Sequence, residues 1–133
     1  MKRGDHRGLT LDAGALIAID RNDRNDRNIM ALLKDFVERG VVPTIPAPVV
    51  AQAWRSSRQS NLARFIKLCR VEPTDLELAR LAGELCRSAD VADAIDAIVV
   101  ASAARRGDLV ATSDARHFRR MAAHVEGVVI LNI

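Results

Sequence analysis

ADAIDAIVVASAARR, residues 92–106, decides how this chain folds: Asp93 and Asp96 stand three positions apart at the head of an otherwise apolar segment. That spacing puts both carboxylates on one face of a helix. Behind them Ile95, Ile98, Val99, Val100 and a run of alanines cover nearly every direction, so the helix reads as buried rather than as a surface helix with one wet side. Ionised groups in such a place cost on the order of several kcal/mol each unless cations or hydrogen-bond donors meet them. The two aspartates therefore predict a compensating charge.

On the amino side of this segment, Gly8 to Leu11 forms a short predicted strand that delivers Asp12 at its end, and AGALIAI from Ala13 continues as an apolar helix. DRNDRNDRN, Asp20 to Asn28, is a polar triplet repeat that reads as an exposed, self-compensating loop or helix lead-in. Ile29, Leu32, Leu33, Phe36 and Val37 follow an amphipathic helical template that Gly40 stops. A strand over Val41 to Ile45 leads past prolines into a helix from Ala47 to Arg55, with Gln52 on a face apart from its apolar residues. Ser60 is placed to cap the next helix, and a strand at Cys69 to Glu72 follows it. Thr74 is placed to cap a helix running from Asp75 to Arg87. On the carboxyl side of the segment, DLVAT makes a strand ending at Thr112, Phe118 and Met121 mark a short helix, and VVILNI reads as a strand covered on both faces. Strands and helices alternate throughout, which predicts an α/β fold of helices on both faces of a mostly parallel four- to five-stranded sheet. No domain boundary is visible, so residues 1–133 are expected to form one domain behind a polar leader, residues 1–7.

Composition narrows the function classes. At 133 residues and 49% hydrophobic content the chain can bury a core without disulfides or a structural metal. An aromatic share of 3% leaves few platforms for stacking bases, so any nucleic-acid contact must lean on charge, and a net charge of +3 is only mildly basic. Cys69 and Cys86 fit neither a redox pair nor a zinc spacing and read as buried free thiols in a reducing cytoplasm. The absence of a short apolar run after the charged start argues against a secretory signal, and no run of about 18 apolar residues suggests a membrane span.

Functional groups of a parallel α/β sheet gather at the carboxyl ends of its strands. Asp12 ends the first strand, Asp114 follows the fourth, and Asp93 with Asp96 head the helix that feeds the fourth. Four carboxylates so placed repel one another, and a divalent cation removes the conflict. With oxygens as the only ligands and no His or Cys close to the aspartates in the sequence reading, the ion is expected to be Mg2+ or Mn2+. Such an ion suits phosphodiester hydrolysis.

LDAGALIAI, DAIVVASA and LVATSDARHF, in that order, resemble the PIN-domain ribonucleases, and most closely the VapC-type toxins of bacterial VapBC toxin–antitoxin pairs. The likeness runs from Leu9 to the end. It implies a three-layer α/β/α fold and a Mg2+- or Mn2+-dependent endoribonuclease toxin that cuts RNA. It also implies a homodimer and a small antitoxin bound in a hydrophobic groove, which the helices from Ile29 and Leu62 have apolar surface to form. Asp12, Asp96 and Asp114 take the metal-binding positions, Asp93 is an additional catalytic carboxylate, and Thr112 orients Asp114. Ser113 and Arg116 lie beside them as positioning residues. Many relatives carry a glutamate where this chain has Gln52, which brings no charge and puts a second metal in doubt.

Each feature also has a plainer reading. Asp12 alone is a helix cap and Asp114 alone a turn residue; together with Asp93 and Asp96 they are a site. Arg105, Arg106, Arg116, Arg119 and Arg120 can grip RNA phosphates or form a solvated face. His6, His117 and His124 share no metal spacing and read as surface or structural residues, and Trp54 as core or interface. Two other functions fit less of the sequence. One is a PIN-like scaffold that binds RNA or a protein without cutting, motivated by Gln52. The other is a receiver-type phosphoacceptor, which would want a lysine near the fifth strand, whereas the lysines are Lys2, Lys34 and Lys67.

Overall fold

A computed structural model describes residues 7–22 and 27–133, leaving aside the side chain of Arg27. The elements run β1 (Leu9–Leu11), α1 (Ala13–Arg21), α2 (Arg27–Glu38), β2 (Thr44–Pro46), α3 (Ala47–Ala53), α4 (Ser60–Lys67) and β3 (Arg70–Glu72). They continue with α5 (Leu76–Ala89), α6 (Ala94–Arg106), β4 (Leu109–Thr112), α7 (Ala115–Ala122) and β5 (Val129–Asn132). The strands pair in parallel throughout, in the order β3-β2-β1-β4-β5.

That order explains the layers. From β1 the chain winds outward through β2 to β3, then crosses back and winds outward again through β4 to β5. With right-handed crossovers the reversal sends α1–α4 to one face and α5–α7 to the other. The packing agrees, since α1 contacts α2, α3 and α4 while α6 contacts α5 and α7. The sheet centre is buried on both sides, with Leu9, Leu11, Ile45 and Val110 at its heart and Phe36, Phe118 and Leu16 filling the helix layers. The three-layer α/β/α expectation holds. The strand order also differs from the 2-1-3-4-5 order of receiver-type folds, which removes the phosphoacceptor reading.

Local differences from the sequence reading have identifiable causes. Val41 and Val42 are not in the ladder: Gly40 adopts a left-handed φ of 79° and the Val41 N–H donates to the Phe36 carbonyl, closing α2 before β2 begins. Asp75 rather than Thr74 caps α5, its Oδ1 accepting from the Leu78 N–H at 2.8 Å. Ser60 opens α4 without capping it, because Gln59 occupies the cap position and makes no side-chain cap bond. β5 is an edge strand on which Ile130 alone is fully buried, so its apolar run is not covered on both faces. Cys69 and Cys86 are half-buried and free, and burial pushes the Cys69 thiol up to about 12. Residues 23–26 of the triplet repeat and residues 1–6 of the leader lie outside the described residues.

Beneath α6 lies a buried ionic network. Arg106 reaches Asp108 Oδ2 at 2.9 Å, Thr10 Oγ1 at 2.8 Å, Ser102 Oγ at 2.9 Å and the carboxylate of Glu72. Thr10 and Ser102 in turn donate to Asp108 and Glu72. Gly8 is required beside it, since a Cβ there would collide with Asp108 Oδ1.

Candidate functional site

Strand order reverses between β1 and β4, and the crevice at their carboxyl ends is where a doubly wound sheet offers a site. Register fixes what meets there: Leu11 lies opposite Ala111, so the chain segments that follow, Asp12 and Thr112–Asp114, emerge side by side. Asp12 caps α1, with Oδ1 accepting from the Ala13 N–H at 2.6 Å, and its Oδ2 accepts from the Thr112 hydroxyl at 2.8 Å. The same hydroxyl oxygen accepts from the Asp114 N–H at 3.0 Å. Thr112, fully buried, thereby ties Asp12 to the turn that carries Asp114. Asp114 is exposed and precedes α7, yet its side chain makes no capping bond and stays available.

α6 brings the other pair. Asp93 is not on the helix face, as its spacing from Asp96 suggested, but in the cap position, where Oδ1 accepts from the Asp96 N–H at 3.0 Å. Its second oxygen is left without a partner in that cap. Asp96 stands in the first turn, its side chain 15% exposed, with Oδ2 at 3.0 Å from His117 Nε2 on α7.

These four aspartates are electrostatically in conflict. Burial pushes Asp12 above the usual carboxylate range; hydrogen bonds from Thr112 and Ala13 pull it back, while Asp93 and Asp114 push it further up. Asp96 is pushed up to about 7, first by burial and then by the charges of Asp93 and Asp12, with His117 opposing the rise. The crevice therefore holds carboxylates that resist ionising together, which is the condition a divalent cation relieves. Asp93, Asp96 and His117 also bring ligand atoms within 4.8 Å of one another. The donor set suits a dication.

The remaining expected residues fall in different places. Ser113 is exposed next to Asp114, and a side chain on Gly14 would collide with its Oγ, so glycine lets the first turn of α1 close on this turn. Arg116 is exposed on α7 and has no ion pair among the described residues. Gln52 sits half-buried on α3, which packs on α1 and α6, and its Oε1 is enclosed without a hydrogen-bond partner. Arg105 and Arg106 are not at the site: they sit at the tail of α6 in ion pairs with Glu72, Asp75 and Asp108. Arg120 is turned to the Asp90 carbonyl.

Sequence reasoning missed His117. Its signal was the spacing from Asp114, since residues three apart at the start of one helix share a face. His117 stands with two of the expected oxygen donors, Asp93 and Asp96, its ligand atom within 4.8 Å of theirs.

Comparison with known proteins bears on the same region. The family model for the PIN domain matches residues 9–124. Among solved structures, VapBC2 from Rickettsia felis bound to a DNA fragment from its promoter has a chain similar at TM-score 0.69 and 17% identity, covering 94% of this chain and 98% of that one. FitAB bound to an IR36 DNA fragment gives a TM-score of 0.70 at 19% identity, covering 93% and 94%. FitAcB from Neisseria gonorrhoeae gives 0.67 at 18%, covering 93% and 96%. At such identities the likeness speaks to the fold. No curated protein matches the sequence.

Proposed function

The chain belongs to the PIN domain family, whose members are in general nucleases, and from that premise we propose that it is a metal-dependent endoribonuclease toxin, a single domain held in check by a small antitoxin. The observation that carries the reading is the convergence of Asp12, Asp93, Asp96 and Asp114 at the switch point of the sheet, with Asp12 and Asp96 both raised by burial and mutual repulsion. Asp12, Asp96 and Asp114 would hold Mg2+ or Mn2+. When bound, the ion supplies a water of lowered pKa and neutralises charge developing on the phosphoryl oxygens.

The chain's own groups do the rest. Thr112 fixes Asp12 and Asp114 relative to each other through one hydroxyl. Asp93, exposed and with one oxygen outside its cap bond, stands beside Asp96 and His117 and would either join the ion or take a proton from the attacking water. Arg116 and Ser113, exposed beside Asp114, are suited to hold the RNA backbone. Gln52, with its Oε1 enclosed and unpartnered on α3, would accept a hydrogen bond without adding charge to the site.

For the antitoxin, the support is the apolar hollow of about 230 Å³ between the end of α2 and α4, lined by Val37, Val41, Val42, Phe65 and Leu68. Helix-in-groove binding uses such a surface. VapBC2 and FitAB are complexes bound to DNA, which favours a partnered assembly here too; the homodimer rests on the family resemblance alone. No helix among the described residues is long and apolar enough to cross a membrane, and a cytoplasmic protein is the matching expectation.

Purified protein incubated with total RNA and Mn2+ should cut it, and Asp12→Asn should abolish the cutting; metal-loaded protein that leaves all RNA intact would refute the enzyme. Gln52 favours a second reading, a PIN-like scaffold that binds RNA or a partner without cutting. Calorimetric Mn2+ binding and RNA retention with no cleavage would establish that alternative.

A further inference from the structure

We propose that His117 is a nitrogen ligand of the metal centre and that it shifts the centre's preference from Mg2+ toward Mn2+ and other first-row dications. The inference rests on the reading above that the crevice holds a dication, and goes beyond it in ligand and metal class.

Geometry carries it. Neighbouring ligands on an octahedral ion with bonds of about 2.1 Å stand about 3.0 Å apart. His117 Nε2 and Asp96 Oδ2 are 3.0 Å apart, and the Asp93 carboxylate brings its donor within 4.8 Å of both. The backbone that carries the imidazole is anchored. Its neighbours Phe118 and Met121 are buried anchors of α7, and the Phe118 ring meets the imidazole edge-to-face at 5.7 Å and 84°. Asp114, the residue before α7, lies one helical turn from His117, so α7 presents a carboxylate and an imidazole to the same crevice.

Chemistry sets the consequence. Mg2+ is a hard ion that takes oxygen and keeps its waters, whereas imidazole nitrogen suits the first-row dications, Fe2+, Ni2+, Cu2+ and Zn2+ above all; Mn2+ stands at the weak end of that series but accepts nitrogen more readily than Mg2+. One nitrogen among carboxylates therefore raises affinity for Mn2+ while adding little for Mg2+. The competing account makes His117 a plain ion-pair partner that steadies α7 against α6.

Electron spin-echo spectroscopy of the full chain loaded with Mn2+ separates the two. Directly bound imidazole gives nitrogen-14 modulation, expected in the wild type and lost in His117→Asn and His117→Phe. In calorimetry with each metal alone, both variants should bind Mn2+ about tenfold or more weakly and Mg2+ within about twofold of wild type. Bound Mn2+ without nitrogen modulation, or variants with an unchanged Mn2+-to-Mg2+ ratio, would overturn the proposal and leave the nuclease reading standing. A wild type that binds neither ion overturns both. The wild-type spectrum decides the question even if a variant fails to fold.

Discussion

Asp96→Asn should make the metal-free protein more stable at neutral and alkaline pH, and should do so less and less as the pH falls toward 4. Folding lifts the Asp96 carboxyl from an ordinary 3.8 to about 7, chiefly through burial and the charges of Asp93 and Asp12. A carboxyl raised in the folded state binds more protons folded than unfolded, so stability falls as pH rises between those two values and is flat above the upper one. At 1.36 kcal/mol per pKa unit the ceiling is about 4 kcal/mol. The side chain is 15% exposed and shares its charge conflict with two other carboxylates. Solvent screening and the lost contact with His117 therefore reduce the expected gain to about 2 kcal/mol, or roughly 6 °C in melting temperature for a chain of this size. Thermal melts in chelator at pH 4, 6 and 8 test it: the gap between variant and wild type should be near zero at pH 4 and fully open by pH 8. Saturating Mn2+ should reverse the order, because the wild type gains about 2.7 kcal/mol at a hundredfold excess over its dissociation constant and the variant loses a ligand. A variant that melts below the wild type at pH 8 without metal would refute the reasoning.

Arg106→Met removes the hub of the network and leaves the buried Asp108 carboxylate without its cation, Arg105 still standing beside Glu72, so urea denaturation should show a loss of about 3 kcal/mol; a loss under about 1 kcal/mol would mean the network is open to water. Gly14→Ala puts a methyl against Ser113 Oγ, the rotatable end of an exposed side chain, so urea denaturation should show a loss of about 1 kcal/mol that Ser113→Gly in the same chain restores; a loss above about 3 kcal/mol would mean the turn cannot yield. Arg116→Ala should flatten the salt dependence of single-stranded RNA binding by about 0.7 in log–log slope, measured by fluorescence anisotropy in a cleavage-dead background; an unchanged slope would place RNA elsewhere.

Much of this was legible from pattern. The three buried residues of β1 and the helical period of α2 announce themselves because burial dictates their chemistry. Asp12 and Asp114 were placed by strand ends alone, since a parallel sheet directs every strand's exit to one side. What pattern did not reveal depends on partners distant in sequence. The Glu72 that satisfies Arg106 lies on β3, and the Asp96 that meets His117 lies on another helix. The sequence leaves Asp93 open for a different reason: an aspartate just before an apolar helix fits a cap and a first-turn face equally well, and only backbone geometry separates them.

Helix direction alone separates the arginines at the tail of α6 from the aspartates at its head. α6 precedes β4 and packs against a parallel sheet, so its head must lie at the carboxyl ends of the strands and its tail at the amino ends. At about 1.5 Å per residue, Asp96 and Arg106 are separated by roughly 15 Å along the axis. Arg105 and Arg106 therefore cannot neutralise Asp96, however close they stand in the chain. One helix thus carries two charged groups with opposite fates. At the tail, arginines, carboxylates and hydroxyls satisfy one another within the protein. At the head, His117 meets Asp96 with Asp93 close by, and Asp12 and Asp96 remain raised. At one end of α6 the described residues compensate their buried charge; at the other, Asp12 and Asp96 keep raised carboxyls among acidic neighbours, the setting in which a bound cation would be most stabilising.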